Sequence, residues 1–223
     1  MNEIIDYLDE LIPNAKCELE YNKDYELLIA VMLSAQTTDK RVNEVTRILF
    51  KKYPNLKLLS EADINDIISI VKPLGITKKA YNVINIAKTL EKIGYVPNER
   101  EFLESLPGVG RKTANVVLSN LYNEPCIAVD THVKRVSNRL GISNSFDVLK
   151  IEEDLNKFFP KEKLAKLHHQ LVLFGRYYCK AKNPKCLNCK LKHICKKDQY
   201  VFFFFVISTA PLIYNLILHH KLT

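Results

Sequence analysis

Two side chains in the middle of the chain are placed where they could act on a bound ligand, those of Lys112 and Asp130. Lys112 follows the sequence LPGVG at 106–110, in which the proline ends one helix and the glycines permit a tight hairpin into the next. The backbone amides at the start of that second helix can bind a phosphate. We therefore predict a helix-hairpin-helix that binds a nucleic-acid backbone beside the amine of Lys112, through Gly108, Val109, Gly110 and Arg111.

Both residues also have an ordinary structural interpretation. The glycines could simply end one helix and leave Lys112 as a solvated charge. Asp130 stands in the sequence DTH at 130–132, directly before an apolar helical pattern, and aspartate is a favoured N-cap residue. A chemical role for Asp130 requires an amine nearby, and one helix followed by a short return could bring Lys112 to the same cleft.

Four cysteines further along the chain have the spacing C-x6-C-x2-C-x5-C, namely Cys179, Cys186, Cys189 and Cys195. Four thiolates within 17 residues predict a tetrahedral sulfur site, which zinc or an iron–sulfur cluster could occupy. The spacing alone leaves both metals open and favours zinc, because zinc ribbons are common. Cys17 and Cys126 stand apart from this group, and we expect them to be buried thiols.

The positive charge of the chain is concentrated around these four cysteines. The net charge is +8, and residues 175–197 contain eight Lys or Arg and no acidic residue. Such a run can be a solvated face, but its clustering at a cysteine site favours a nucleic acid as partner. Lys180, Lys182 and Lys185 lie between the first two cysteines, and we expect this loop to contact DNA phosphates.

The elements that must position these residues are helical. Amphipathic patterns predict helices near 3–12, 131–140, 147–158 and 162–175. Residues 25–34 are apolar nearly all round, which predicts a buried central helix. No segment alternates between apolar and polar residues over a useful length, so the predicted fold is all-α.

Three further features follow from this helical pattern. Gln36 stands in a polar loop after the central helix, where it could fill the loop or contact a partner. A second, weaker glycine hairpin occurs at 73–77. His168 and His169 lie on the last predicted helix, and we expect them to be packing or surface residues rather than ligands.

The composition is that of an ordinary globular protein, with 47% hydrophobic and 26% charged residues among 223. The first residues, MNEIID, are acidic and amphipathic, unlike the basic and then apolar start of a signal peptide. We therefore expect a cytoplasmic protein. In that compartment disulfides are disfavoured, and clustered cysteines indicate a metal site.

Taken together, these motifs resemble the endonuclease III family of helix-hairpin-helix, iron–sulfur DNA glycosylases. The resemblance runs from residue 3 to about 198 and rests on the cysteine spacing and on LLIAVMLSAQ (27–36), LPGVGRKTAN (106–115), IAVDTH (127–132) and GRYYC (175–179). It implies base excision repair of oxidised pyrimidines in double-stranded DNA, with an associated abasic-site lyase activity. It also implies a [4Fe–4S] cluster in place of zinc, and no other small-molecule cofactor.

Carried over residue by residue, the resemblance implies that Lys112 is the nucleophile and Asp130 the catalytic carboxylate. The neutral lysine amine would attack C1′ of the deoxyribose, expel the base and form a Schiff base that permits β-elimination. Gln36 would fill the gap left by an extruded base. A second wedge residue falls at Ile76, in a loop that is one residue shorter here than in the family.

The family fold consists of two helical domains that flank a DNA-binding cleft. In this chain it implies a six-helix bundle at 18–125 and a cluster domain formed by 1–17 together with 126–198. Lys112 and Asp130 would then lie on opposite walls of the cleft. We expect a monomer that is associated with the nucleoid and not with a membrane.

Two other functions are compatible with parts of the pattern. The chain could be a mismatch-specific glycosylase of the same superfamily, acting on thymine, uracil or adenine. The resemblance implies that those branches have another residue type at the position of Lys112, so Lys112 argues against this alternative. The adenine-specific branch also has an additional C-terminal domain. A non-enzymatic DNA-binding module is the second alternative, and the presence of both Lys112 and Asp130 argues against it.

Residues 199–223 form an atypical hydrophobic tail that departs from the family pattern. Residues 201–218 contain no charge and include FFFF at 202–205. A membrane span, a packed terminal helix and a reading-frame slip each account for such a segment. We favour the frame slip, because Pro211 and the polar residues in the segment weaken the other two interpretations.

Overall fold

A computed structural model describes residues 1–75 and 77–196, and all regular structure in these two ranges is helical, as predicted. The α-helices are Asn2–Leu11 (α1), Asp24–Leu33 (α2), Asp39–Lys52 (α3), Leu56–Ser60 (α4), Ile64–Val71 (α5), Lys78–Ile93 (α6), Arg100–Ser105 (α7), Arg111–Tyr122 (α8), Thr131–Arg139 (α9), Val148–Phe158 (α10) and Leu164–Leu173 (α11). Ile76 and the tail at 199–223 lie outside the described residues. Among the helices that are described, none has the length and apolar character needed to cross a membrane.

Helix α2 is the central helix that its composition predicts. Every residue from Tyr25 to Leu33 is buried, so the helix has no solvated face. Its N-terminus is held by the carboxylate of Glu26, which accepts hydrogen bonds from the backbone N–H of Asn22 at 2.7 Å and of Lys23 at 3.3 Å. These bonds give partners to the amides of the two residues that precede the helix.

The buried apolar residues form two separate cores. The first core draws on residues 19–126 and is built around α2. The second core combines Ile4, Ile5, Tyr7 and Leu8 of α1 with apolar residues from 127–191. The chain therefore leaves the second core after α1, builds the first core, and returns to the second core directly after Cys126.

Two sets of ion pairs join the helices of the two cores. Arg111 at the start of α8 pairs with Glu152 on α10, with 2.8 Å between Nη2 and Oε1. Arg176 pairs with Glu18 and with Asp39, the latter at 2.7 Å. Although burial disfavours the charged guanidinium, Asp39 and Glu18 raise the pKa of Arg176 above its usual range. These contacts fix one core against the other around the cleft described below.

The end of α11 differs from the predicted helix 162–175. The α-helix covers only Leu164–Leu173, after a 3-10 turn at Lys161–Lys163, and continues as a π-helical turn at Phe174–Tyr178. In this turn the backbone N–H of Cys179 donates to the carbonyl of Phe174 at 2.7 Å, a bond across five residues. The carbonyl of Gly175 accepts from Arg135 at 2.6 Å, so a contact with α9 accompanies the wider turn.

Candidate active site

The two cores enclose a cleft of about 670 Å³. Its lining brings together residues that are far apart in the sequence, among them Gln36, Lys112, Asp130, His168 and His169. Lys112 and Asp130, predicted to share a cleft, line this one together.

The hairpin before Lys112 requires glycine at position 108. Gly108 has a φ of +81°, and a Cβ placed there would lie 2.3 Å from the side-chain amide of Asn82 and 3.3 Å from Cγ of Met32. The hairpin is thus pressed against α6 and α2. Val109 is buried and its N–H donates to the carbonyl of Leu106 at 3.1 Å. The tight turn holds the start of α8, and with it Lys112, in a fixed position at the cleft.

The amine of Lys112 is available for a ligand. Its side chain is exposed in the first turn of α8, off the apolar stripe of that helix. Within residues 1–75 and 77–196, the Lys112 ammonium makes no hydrogen bond and no ion pair. The neighbouring Arg111 is different, because its guanidinium is engaged by Glu152. Only its backbone N–H remains at the helix N-terminus for the phosphate contact that the sequence predicts.

Asp130 combines the two interpretations that its sequence allows. It is the N-cap of α9, and its Oδ1 accepts hydrogen bonds from the backbone N–H groups of His132 and Val133, each at 2.8 Å. The same side chain lines the cleft. One carboxylate oxygen therefore holds the helix, and in the described part of the chain the other has no hydrogen-bond partner. The cap fixes the orientation of the oxygen that faces the ligand space.

Gln36 is held in an uncommon backbone conformation. Its φ is +61°, in the left-handed region that side chains other than glycine rarely adopt. The residue is exposed at the cleft, between the end of α2 and the start of α3. A strained residue of this kind persists only where the surrounding structure holds it, and it is often found at a binding site.

His168 and His169 belong to this cleft, which their sequence positions did not indicate. His168 is buried, as expected for a packing residue, but its Nδ1 has no hydrogen-bond partner among the residues that the structure describes. Burial, the adjacent His169 and the charge of Lys112 lower the pKa of His168 to about 3. Burial also lowers the pKa of His169 to about 4. Both imidazoles are therefore neutral at pH 7.

The four clustered cysteines line a second cavity of about 240 Å³. Its remaining walls include Leu140, Phe174 and Leu191, and Arg139 donates to the Sγ of Cys179 at 3.3 Å. In the described part of the chain, no three His, Cys, Asp or Glu side chains have the geometry of a single metal ion. Four cysteines around a largely apolar cavity, with an N–H donor to one sulfur, form a donor set that could hold a metal–sulfur group.

The cysteine loop is attached to α9, the helix that Asp130 caps. Arg135 donates to the carbonyl of Cys179 at 3.1 Å, and Arg139 donates to that of Lys180 at 2.7 Å. The side chains of Lys180 and Lys182 are exposed on the loop, while Lys185 lies over the ring of Tyr178 at 4.7 Å from the centroid. The loop therefore presents cations to solvent from a position that α9 fixes relative to the cleft.

The two remaining cysteines are protonated thiols. Cys126 is buried, as predicted, and its Sγ lies 3.3 Å from the carbonyl of Asn115. Cys17 is partly exposed rather than buried. Burial raises the pKa of each thiol to about 11, so neither is a reactive thiolate at pH 7.

Comparison with known proteins identifies relatives that match most of this chain. The sequence model of the HhH-GPD superfamily base excision DNA repair proteins matches residues 29–161. Endonuclease III of Bacillus subtilis (strain 168) is 44% identical over 199 residues, which cover 87% of this chain and 91% of the relative. Endonuclease III of Escherichia coli (strain K12) is 41% identical over 202 residues, covering 89% and 96% respectively.

Solved structures show the same similarity. A non-covalent endonuclease III–DNA complex matches with a TM-score of 0.84 and 42% identity, over 90% of this chain and 96% of the other. A trapped endonuclease III–DNA covalent intermediate matches with a TM-score of 0.83 and 43% identity, over 90% and 98%. A thermostable thymine-DNA glycosylase has a TM-score of 0.79 at 20% identity, which shows a shared fold alone.

Proposed function

This chain belongs to the endonuclease III family of base excision DNA repair enzymes, and from that premise we propose that it is a DNA glycosylase with an associated abasic-site lyase activity. The observation that carries the proposal is that Lys112 and Asp130 line one cleft between the two cores. The relative solved as a trapped covalent intermediate with DNA supports an enzyme that bonds to its substrate. Its partner is double-stranded DNA that contains damaged pyrimidines or abasic sites.

The reaction begins with extrusion of the damaged nucleotide from the duplex, which costs a few kcal/mol and least for a damaged base. The neutral amine of Lys112 then bonds to C1′ while the glycosidic bond breaks and the base leaves with the bonding electrons. Loss of a proton from nitrogen and opening of the sugar give a Schiff base. Removal of a C2′ proton then expels the 3′ phosphate and cleaves the strand.

Asp130 stabilises the positive charge that develops on the sugar in this sequence. Its Oδ2 is the available oxygen, because Oδ1 is held by the two amides at the start of α9. Gln36 fills the space left by the extruded base, and the resemblance to the endonuclease III family implies that Ile76 is a second wedge. Gly108, Val109, Gly110 and the backbone of Arg111 bind a phosphate at the start of α8.

Cys179, Cys186, Cys189 and Cys195 hold a [4Fe–4S] cluster in this proposal. The group would act as a structural staple that fixes the basic loop with Lys180, Lys182 and Lys185 against DNA phosphates. The support is the donor set around one cavity and the family to which the chain belongs. Elemental analysis of the purified protein should give iron and sulfide, and stoichiometric zinc without iron would overturn the assignment.

The two cores correspond in this proposal to two domains, at 18–125 and at 1–17 with 126–198. The support is that the buried residues of each core fall within these ranges, except Cys126, which lies at the boundary and packs in the first core. An enzyme that repairs chromosomal DNA in this way acts in the cytoplasm on the nucleoid. We infer that it does so as a monomer, because both walls of the cleft come from one chain.

Borohydride trapping tests the catalytic assignment directly. Wild-type protein and a duplex with thymine glycol should give a covalent protein–DNA adduct, and Lys112→Gln should give none. Lys88→Gln, at an exposed position on α6, is the matched control and should trap like wild type. Efficient trapping by Lys112→Gln would reject the assignment of the nucleophile.

A lesion panel separates the alternative functions. Cleavage of G·T or A·8-oxoguanine duplexes in preference to thymine glycol would indicate a mismatch-specific glycosylase. Binding of every duplex without cleavage of any would indicate a non-enzymatic DNA-binding module.

A further inference from the structure

A buried ammonium group holds together two loops at the edge of the cleft. Lys79, in the first turn of α6, is only 5% exposed. Its Nζ donates to the carbonyls of Leu33 at 2.8 Å, Ala35 at 2.7 Å and Leu74 at 3.2 Å. The three N–H donors of the ammonium therefore have three backbone acceptors.

The three carbonyls belong to two different segments. Leu33 is the last residue of α2, and Ala35 directly precedes Gln36. Leu74 ends the 3-10 turn Lys72–Leu74, which enters the glycine hairpin predicted at 73–77. Lys79 thus ties the loop that carries Gln36 to the loop that follows α5.

The charge of Lys79 is balanced by peptide dipoles. Within residues 1–75 and 77–196, no carboxylate forms an ion pair with its ammonium. The carbonyls at the C-terminal ends of helices carry partial negative charge, and two such ends converge here. Burial lowers the pKa of Lys79, which is consistent with a charge held only by such dipoles. Three carbonyls aimed at one point would repel one another without the cation between them.

We propose that Lys79 is a positioning residue that locks these two loops together, so that Gln36 is already in place when the damaged nucleotide leaves the duplex. This inference rests on the proposed function. Gln36 has a φ of +61°, a conformation that needs support from its surroundings, and the bond from Lys79 to the adjacent Ala35 carbonyl supplies it. Lys79 itself does not touch the reacting atoms in this role.

The role predicts a defect that depends on how firmly the damaged base is stacked. Lys79→Met keeps the length of the side chain and removes all three donors. It should slow cleavage of thymine glycol in a fully paired duplex by about tenfold. The same lesion in a five-base unpaired bubble needs less unstacking, so the loss there should stay below about twofold. Lys78→Met is the matched control, because Lys78 is the exposed neighbour on the same helix turn.

A purely structural lysine would give a different pattern. Equal loss on both substrates, or no loss on either, would overturn the positioning role, whatever the change in melting temperature. A wild type and a Lys78→Met variant that cleave neither substrate would instead reject the proposed function, and this role with it.

A double-mutant cycle gives a second measurement if Lys79→Met folds poorly. Lys79→Arg keeps the charge but changes the donor geometry, and Gln36→Gly removes the side chain that Lys79 is proposed to position. If the two residues act together, Lys79→Arg should slow duplex cleavage in the wild-type background and have no further effect in the Gln36→Gly background. Fully additive effects, or no effect of Lys79→Arg in the wild-type background, would overturn the inference.

Discussion

Arg111 and Glu152 form a two-point ion pair that fastens the hairpin helix α8 to α10 of the other core. The bonds measure 3.0 Å from Nε to Oε2 and 2.8 Å from Nη2 to Oε1. The side chain of Glu152 is only 6% exposed, whereas that of Arg111 is 48% exposed. The hydrogen bond with Glu152 and the coulombic attraction of its carboxylate raise the pKa of Arg111. The residue that follows the glycine hairpin therefore joins the two walls of the cleft through its side chain.

Arg111→Met should destabilise the protein by about 3 kcal/mol, because it leaves the buried carboxylate of Glu152 without a partner. Urea unfolding followed by circular dichroism measures the change. Arg47→Met is the matched control, since its pair with Glu20 is exposed on both sides and should contribute much less to stability. The double variant Arg111→Met/Glu152→Leu should recover part of the loss. Equal effects of Arg111→Met and Arg47→Met would contradict the structural role of this pair.

Asp130→Asn should bind DNA normally and lose about 10²–10³-fold in cleavage rate. The amide keeps an oxygen that can cap α9, while the charge facing the cleft is removed. Asp130→Ala should show the same rate loss together with about 1 kcal/mol of lost stability, because the cap is gone. Single-turnover kinetics and gel-shift titrations separate the two effects. An Asp130→Asn enzyme with the wild-type rate would reduce this residue to a helix cap.

Stability should fall as the pH drops below about 6.5, through the buried histidines. Their folded-state pKa values, about 3 for His168 and about 4 for His169, are depressed below the usual histidine value. Below pH 6.5 the histidines therefore bind protons in the unfolded chain but not in the folded chain. Between pH 6.5 and the folded pKa, each histidine removes up to about 1.4 kcal/mol per pH unit. Above pH 6.5 both states are neutral and this contribution vanishes.

His168→Gln should reduce the slope of the unfolding free energy against pH by the contribution of one histidine, because glutamine does not titrate. The measurement is the slope of the unfolding free energy against pH between 5 and 6.5. If wild type and His168→Gln had the same slope, burial of this imidazole would not contribute to the loss of stability at acid pH.

Lys180→Gln and Lys182→Gln should each lower the salt dependence of DNA binding by about 0.9 in a log–log plot, if each ammonium contacts one phosphate. Both side chains are exposed on the cysteine loop. Lys185→Gln should do the same and also lose its contact with the Tyr178 ring. Lys88→Gln on α6 serves as the control. No change in salt dependence when all three loop lysines are replaced would show that the loop does not contact DNA.

The features that were predictable from the sequence are those that depend on neighbours along the chain. The glycine at 108 with its positive φ, the Asp130 cap and the apolar helix α2 each follow from a short stretch of residues. The helix bounds agree within a residue or two. The sequence did not predict the π turn that follows α11, in which the carbonyl of Gly175 accepts a hydrogen bond from Arg135.

The features that escaped the sequence depend on partners that the fold alone brings close. Arg111 finds Glu152 41 residues away, and Lys79 finds the end of α2 46 residues away. His168 and His169 lie on a helix whose pattern marks only its apolar stripe, so nothing local shows that the helix borders the cleft. The periodicity of apolar residues does not show which distant residues come into contact, because the packing of the two cores determines these contacts.

The split second core sets an order on folding while the chain is being made. Helix α1 is translated before the first core, but the residues that cover Ile4, Ile5 and Leu8 are translated after it. At roughly 5–20 residues per second, the apolar stripe of α1 waits on the order of 10 s for its partners. The first core can fold during that interval, and α1 then packs last against the second core. Helix α1 is thus synthesised before the first core and docks after it, and until it docks its apolar stripe stays open to chaperones and proteases.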